Sequence, residues 1–455
     1  MSGTIAPAPS SHVRLRLDRS RSFDTIPALA RADGLAPLVL NRGVVAMCAA
    51  QACAQIGAFS VAALLPTLIA AWSLSNTEAG WIGGIYYAAY TLVVPLLSSL
   101  TDRVDPRRIY LGSVALTAIA FVGFAWLATG FWSALAFRAL MGAGWAGSYM
   151  PGLKALSDCA EGPQLSRAVA AHAAAVGVSG ALSFGIAGAV NAWLGWQWAL
   201  GPGAIGASLA FLFVLIGLPA RPPSTVTKDP GALLDFRPVL RNRSALAYSI
   251  AYGVHTWEMS ALRAWVVTFL TFAAGQSAGA WTPVTPPTIA SVMGLVGVWA
   301  SVWGNELSIR LGRRRFILGT MLASAAMAAV IGFTAALPYA FAAVLVLIYA
   351  LLIWSDSSSL TAGTAGSAAP GRRGATLAVH STLGYAGGFL GPLVLGATLD
   401  LAGGASVIGW GVAFGHVTVA VVVGALAFVW LRPGDLAGDR PAITAPRVAG
   451  DSPRA

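Results

Sequence analysis

Apolar stretches about as long as the 20 residues a helix needs to cross a bilayer core follow one another along the chain. They run over 44–72, 78–100, 109–129, 131–153, 168–194, 198–218, 245–273, 288–309, 316–336, 339–363, 375–399 and 406–431. One long polar interruption, 219–244, divides them six and six. Each stretch is expected to be helical, because lipid offers no partner to the backbone groups an open strand would leave bare. The pattern predicts an all-α membrane protein of twelve transmembrane helices in two six-helix bundles. The expected divisions are an N-terminal arm, 1–42, a first bundle, 43–218, a central loop, 219–244, a second bundle, 245–431, and a C-terminal tail, 432–455.

Charge fixes the threading. Of 28 Lys and Arg residues, only Arg138 and Arg263 fall inside apolar stretches. The others lie in the N-terminal arm, the C-terminal tail, or the even-numbered gaps between stretches; the odd-numbered gaps have none. Basic residues in short loops favour the cytoplasmic side, so both ends are expected inside. The arm has no short apolar core followed by a cleavage site, and reads as a disordered cytoplasmic tail. Charged residues make up 10% of the chain, against about 25% in soluble domains. The net charge of +11 is spread over loops facing one leaflet, where anionic lipid attracts it. Nucleic acid is not an expected partner. Arginine far outnumbers lysine, as in GC-rich bacterial genomes, so the expected location is a bacterial inner membrane.

The two halves repeat. A shift of 208 maps His172 onto His380, Gly180 onto Gly388 and Gly188 onto Gly396. A shift of 207 maps Leu100-Thr-Asp-Arg103 onto Leu307-Ser-Ile-Arg310, Asp105 onto Gly312, and Arg107-Arg108 onto Arg314-Arg315. Duplicated halves place a substrate site between them, near the bilayer midplane.

The loop Ser98-Ser-Leu-Thr-Asp102-Arg103-Val-Asp-Pro-Arg107-Arg108 is similar to G-x-L-x-D-R-x-G-R-R of the major facilitator superfamily of secondary transporters. The resemblance covers nearly all of 43–431. It implies a cytoplasmic gate in which Asp102 and Arg103 contact the neighbouring helix, with Arg107 and Arg108 beside them. The second copy, with Arg310, Gly312 and Arg313, has Ile309 at the acidic position, so a weaker charge-based gate is expected there. Arg138-Ala-Leu-Met-Gly142 resembles the family's R-x-x-x-G element, associated with proton coupling. Its continuation, Gly142-Ala-Gly144-Trp-Ala-Gly147, matches a dinucleotide fingerprint only in letters, since no strand precedes it. Small residues there are expected to let helices approach closely. The fifth stretch lacks the Gly-Pro element of the antiporter subfamilies, while Gly391-Pro392 stands in the eleventh.

Ionisable groups inside hydrocarbon cost several kcal/mol and mark functional candidates. Four stand out: Arg138 in the fourth stretch, Glu258 and Arg263 in the seventh, and Asp356 in the tenth. The first stretch adds Gln51 and Gln55, four apart and so on one face. The resemblance places the first, fourth, seventh and tenth helices around the central cavity. His255, Glu258, Leu262 and Trp265 form one stripe of the seventh helix, expected to face that cavity, with Arg263 off it. Glu258–Arg263 and Arg138–Asp356 are candidate pairs, structural or functional. Tyr86, Tyr87, Tyr90, Trp145 and Trp257 suit either stacking on a solute or packing. His172 and His380 read as structural, and His416 carries no signal.

Two readings compete: a proton-linked transporter of a small organic solute, and a proton-independent facilitator or efflux pump. A membrane sensor on the same fold also fits the pattern. No His/Cys/Asp cluster has metal-ligand spacing, so neither metal, cofactor nor enzyme activity is expected, and the expected state is a monomer. Two buried cations against two buried anions allow a zwitterion, an anion with a proton, or a polar neutral solute. The threading predicts that cysteines introduced at Pro222 and at Pro286 react with impermeant maleimide from opposite sides of a sealed cell; labelling from one side would overturn it.

Overall fold

The computed structural model describes residues 41–101, 103–220, 236–277, 284–370, 372–436 and 439. The arm before residue 41, most of the central loop and most of the C-terminal tail lie outside them. The first bundle comprises α1 (Arg42–Gln55), α2 (Ser60–Trp72), α3 (Asn76–Leu100), α4 (Pro106–Leu127), α5 (Phe131–Ser157), α6 (Gly162–Leu194), α7 (Trp196–Ala199) and α8 (Gly201–Gly217). A short α9 (Arg237–Arg241) precedes the second bundle: α10 (Arg243–Gln276), α11 (Pro286–Leu311), α12 (Arg313–Ile331), α13 (Tyr339–Ser355), α14 (Ser357–Gly366), α15 (Arg373–Leu401) and α16 (Val407–Leu431). No strand occurs among the described residues.

Among the described residues, ten segments are long and apolar enough to span a membrane, with α1–α2, α7–α8 and α13–α14 each counted as one. The two other long helices are α5 and α10, of 27 and 34 residues. They carry Arg138 and the group His255, Glu258 and Arg263, whose polarity lowers the hydropathy of an otherwise apolar helix. The expected twelve spans fit this count.

Local chemistry sets the helix ends. Ser75 and Glu78 form a capping box at the start of α3, satisfying amides that have no partner in the first turn. Asp105 caps α4, with Pro106 in its first turn. Gly312, at φ +91°, turns the chain between α11 and α12 in a conformation that side chains disfavour. The glycines of the fourth stretch act as expected: a Cβ at Gly142 would overlap the backbone of Tyr86, and one at Gly144 or Gly147 would meet Ser113 or Thr117.

The bundles meet where α3 packs on α15, α6 on α11 and α2 on α10. At the end away from the basic loops, the half-buried Asp400 of α15 accepts from the amides of Asn76 and Thr77 at 3.0 and 2.7 Å. It also accepts from their side chains at 2.8 and 2.6 Å. A carboxylate on one bundle thus caps a helix of the other, favoured by the dipole at the α3 N-terminus. Asp400→Ala is expected to lower stability by about 1–3 kcal/mol, the cost of stripping partners from partly buried donors. Leu401→Ala, at an 88% exposed position, is expected to leave it unchanged; thermal unfolding in detergent compares the two.

Candidate functional site

The first span breaks between α1 and α2, and the residues there lose the regular ladder. Backbone groups freed in a membrane must be re-satisfied by the protein. Arg138 of α5 donates to the Ala58 carbonyl at 3.3 Å. Ser183 of α6 accepts from the Phe59 amide at 3.0 Å, and Ser60 donates to the Gly57 carbonyl at 2.8 Å. Arg138 is buried, with its guanidinium 4.2 Å from the centre of the Tyr86 ring. An aromatic face and a bare carbonyl are both electron-rich, so a buried cation is held there without a carboxylate.

Beside this break lies a cavity of about 170 Å³, where one water needs about 10–15 Å³. Both bundles line it: Gln55, Phe59, Tyr86, Tyr87, Trp145, Gly180 and Phe184 from the first, and Arg263, Met293, Gly294, Val298 and Trp354 from the second. Arg263 is its one charged lining residue among those described. Its guanidinium lies 4.5 Å from the Phe59 ring centre and 5.2 Å from that of Trp354. It reaches the Tyr87 hydroxyl at 3.5 Å, and no described carboxylate forms an ion pair with it. Towards the basic loops, Tyr90 packs at 4.3 Å against Trp145 and at 4.2 Å against Tyr385 of α15, with the rings tilted by 40° and 43°. Through Trp145 that aromatic layer adjoins the cavity, while the Asp400 contact lies at the other end of the bundle interface.

The stripe of α10 does not face this cavity. His255, Glu258, Leu262 and Trp265 are all buried, and none lines it; Arg263, off the stripe, does. Hydrocarbon burial selects a polar stripe as readily for a bundle interior as for a cleft, and periodicity cannot tell the two apart. Glu258 accepts from the Tyr349 hydroxyl of α13 at 2.8 Å and from Ser324 of α12 at 3.1 Å. The Nδ1 of His255 lies 2.8 Å from an Asp356 carboxylate oxygen. Neither Glu258–Arg263 nor Arg138–Asp356 forms an ion pair. The arginines take aromatic rings and a carbonyl, while the carboxylates take hydroxyls and an imidazole.

Of the other candidates, Gln55 lines the cavity, whereas Gln51 accepts from Tyr110 at 3.4 Å inside the first bundle. Trp257 is turned towards α16, donating to His416 at 3.1 Å; His416 therefore has a partner that the sequence did not signal. His172 lies against Tyr149 of α5. His380 contacts Thr364 and Thr361 of α14 at 3.0 and 3.3 Å. Each of these two histidines thus meets the span one before its own.

In the gate loops, Asp102 lies outside the described residues, and Arg103 and Arg108 are exposed. Arg107 donates to the Leu215 carbonyl at 2.8 Å. Arg310 pairs with Glu306 one turn back, on the surface. Arg313 is buried and binds Asp439 with two nitrogens at 2.9 Å each. Asp439 comes from beyond α16, so this contact ties the second loop to the chain after the last span. Phe59, Phe184, Trp354, Tyr349 and Asp400 were also not singled out by sequence, because isolated aromatics and a carboxylate at a span end carry no pattern.

The sequence model described as Major Facilitator Superfamily matches residues 47–392. Protein spinster homolog 1 of Homo sapiens is 24% identical over 301 residues, 63% of this chain and 57% of that protein. Its Bos taurus counterpart is 24% identical over 271 residues, 56% of this chain and 51% of the relative. The chain thus spans little more than half the length of the curated relatives it matches. Among solved structures, a bacterial homolog of the human lysosomal transporter Spinster, inward-facing and occupied, superposes with a TM-score of 0.67 at 17% identity. That match covers 85% of this chain and 96% of the other. The nucleoside transporter NupG superposes with a TM-score of 0.66 at 16% identity, covering 86% and 98%. These structural likenesses speak to the fold.

Proposed function

The chain belongs to the Major Facilitator Superfamily, and within it we propose that this protein moves a small organic anion across a bacterial inner membrane by alternating access. The observation that carries this reading is the cavity between the bundles, with Arg263 as its one charged wall residue and no carboxylate paired to it among the described residues. A cation already desolvated against aromatic rings gains most from a solute that brings the missing negative charge. The rings of Phe59, Tyr86, Tyr87, Trp145, Phe184 and Trp354 favour a solute with a planar face, through offset or edge contacts.

In this reading the end bearing the basic loops faces the cytoplasm. Opening to that side parts Tyr90 from Tyr385, and opening to the other parts Asp400 from the α3 N-terminus. Arg138 holds the broken first span, so it positions the cavity wall and does not touch the solute. Glu258, buried in the second bundle with two hydroxyl donors, carries the coupled proton. Its place outside the cavity separates proton from solute.

Two outcomes test these roles. Purified protein screened by thermal unfolding against aromatic carboxylates and their neutral amides is expected to gain about 2.7 kcal/mol from a bound acid at 100 times its Kd. The amide is expected to give no gain, and Arg263→Gln to abolish the gain from the acid. Equal stabilisation by acid and amide would overturn the anion reading. Glu258→Gln in proteoliposomes is expected to abolish accumulation driven by a pH gradient while counterflow of the same acid persists. Undiminished gradient-driven uptake would remove Glu258 from the coupling role.

A further inference from the structure

Arg138 and Arg263 are set within apolar spans, and neither forms an ion pair with a carboxylate among the described residues. A second, smaller chamber of about 20 Å³ brings them together. Arg138, Ser260 and Arg263 form part of its wall, with Phe59, Leu65 and Gly83 beside them. It shares Phe59, Tyr87 and Arg263 with the solute cavity. Gly83 stands one turn of α3 nearer the Asp400 contact than Tyr87 does, so the chamber lies between the solute cavity and that end. Two polar groups of its wall residues are left over. The Ser260 hydroxyl and the Arg138 Nε are buried without a hydrogen-bond partner among the described residues; Ser260 is 1% exposed and Arg138 4%.

From this convergence we propose that the chamber binds one halide ion, chloride in the cell, between Arg138, Arg263 and the Ser260 hydroxyl. The Tyr86 ring and the Ala58 carbonyl lower the cost of burying Arg138, and the rings of Phe59 and Trp354 do the same for Arg263. None of these groups brings a negative charge. Both guanidiniums stay protonated at any pH the cell meets, and they repel one another through a medium of low dielectric. One anion between them turns that repulsion into two attractions, and the hydroxyl and the Nε–H donate to it. A water molecule would accept the same hydrogen bonds but leave both charges bare. Size selects the class of anion. The chamber holds about 20 Å³, and one water needs about 10–15 Å³, so a monatomic ion fits where a phosphate does not.

The ion's partners come from both halves, Arg138 from the first bundle and Ser260 and Arg263 from the second. It therefore bridges the bundles inside the membrane, on the inner side of the Asp400 cap. Parting the bundles at that end draws Arg263 away from Arg138 and opens the chamber to the outer solution, so the site empties and refills from there. Bound chloride favours the arrangement in which the Asp400 end is closed. Two cations and one halide leave one positive charge over, and Arg263 keeps charge to offer an acid in the larger cavity. The ion site does not depend on which solute that cavity takes.

The test needs no identified solute. Purified full-length protein in sodium gluconate is titrated with sodium chloride or bromide at constant ionic strength and followed by thermal unfolding. Stability is expected to rise and saturate with either halide, as for a ligand that binds the folded state alone; gluconate, too large for the chamber, is the reference. Ser260→Ala is expected to raise the half-saturating chloride concentration about tenfold, the loss of one hydrogen bond to a charge. Its unfolding in gluconate reports that the variant is folded. Stability independent of halide would overturn the proposal and leave the chamber to water, and an unchanged half-saturation in folded Ser260→Ala protein would overturn it too. Aromatic acids separate the chamber from the solute cavity. At saturating chloride they are expected to add their own stabilisation, whereas full competition between acid and chloride would overturn a separate ion site. Equal stabilisation by acid and amide, with a chloride response that still depends on Ser260, would remove the organic-anion reading and leave the ion site standing.

Discussion

Where the first span breaks beside Ala58, a carbonyl is set free at a depth where no water is at hand. In hydrocarbon an unpaired backbone group costs several kcal/mol, so the break persists because the guanidinium of Arg138 and the hydroxyl of Ser183 reach it. That requirement brings α5 and α6 against the first span. The cavity opens beside the break. A regular first helix would need neither donor, and Phe59 would not stand where it stacks with Phe184 and meets Arg263.

The same rule organises the second bundle with different partners. The break at Asp356 is tied to α10 through His255, and the carbonyl of Ser359 just past it is held by Arg313. Arg313 is in turn fixed by Asp439. The first span of one half and the tenth of the other are thus both broken, and they are held with opposite charges: a cation at one break, a carboxylate at the other. That asymmetry is a natural division of labour if one bundle shapes the solute site and the other handles the proton. The interface between them is built mainly from small residues and aromatics, such as Gly84 against Phe389 and Tyr90 against Tyr385. Most such contacts can part without stranding a charge; the Asp400 cap, at the end of its helix, and Arg263 on the Phe59 ring are exceptions.

The sequence determined the thread. Apolar length, the alternation of basic gaps and the shift of about 207 residues between halves were enough for the all-α fold, since lipid leaves the chain few alternatives. The buried ionisable residues were legible for the same reason: charge in a span is rare enough to stand out. Partners were decided only by tertiary structure. Charge alone offers Arg138 and Arg263 carboxylates as partners, yet they rest on rings and a carbonyl. Helical periodicity reports that a face is buried, without reporting what buries it. Hence the stripe of His255 and Glu258 turned inward while Arg263 reached the cavity, and Arg313 met its acid in Asp439, 126 residues further along the chain. Spacing along one helix fixes angle and rise; which helix stands opposite is set by packing among all of them.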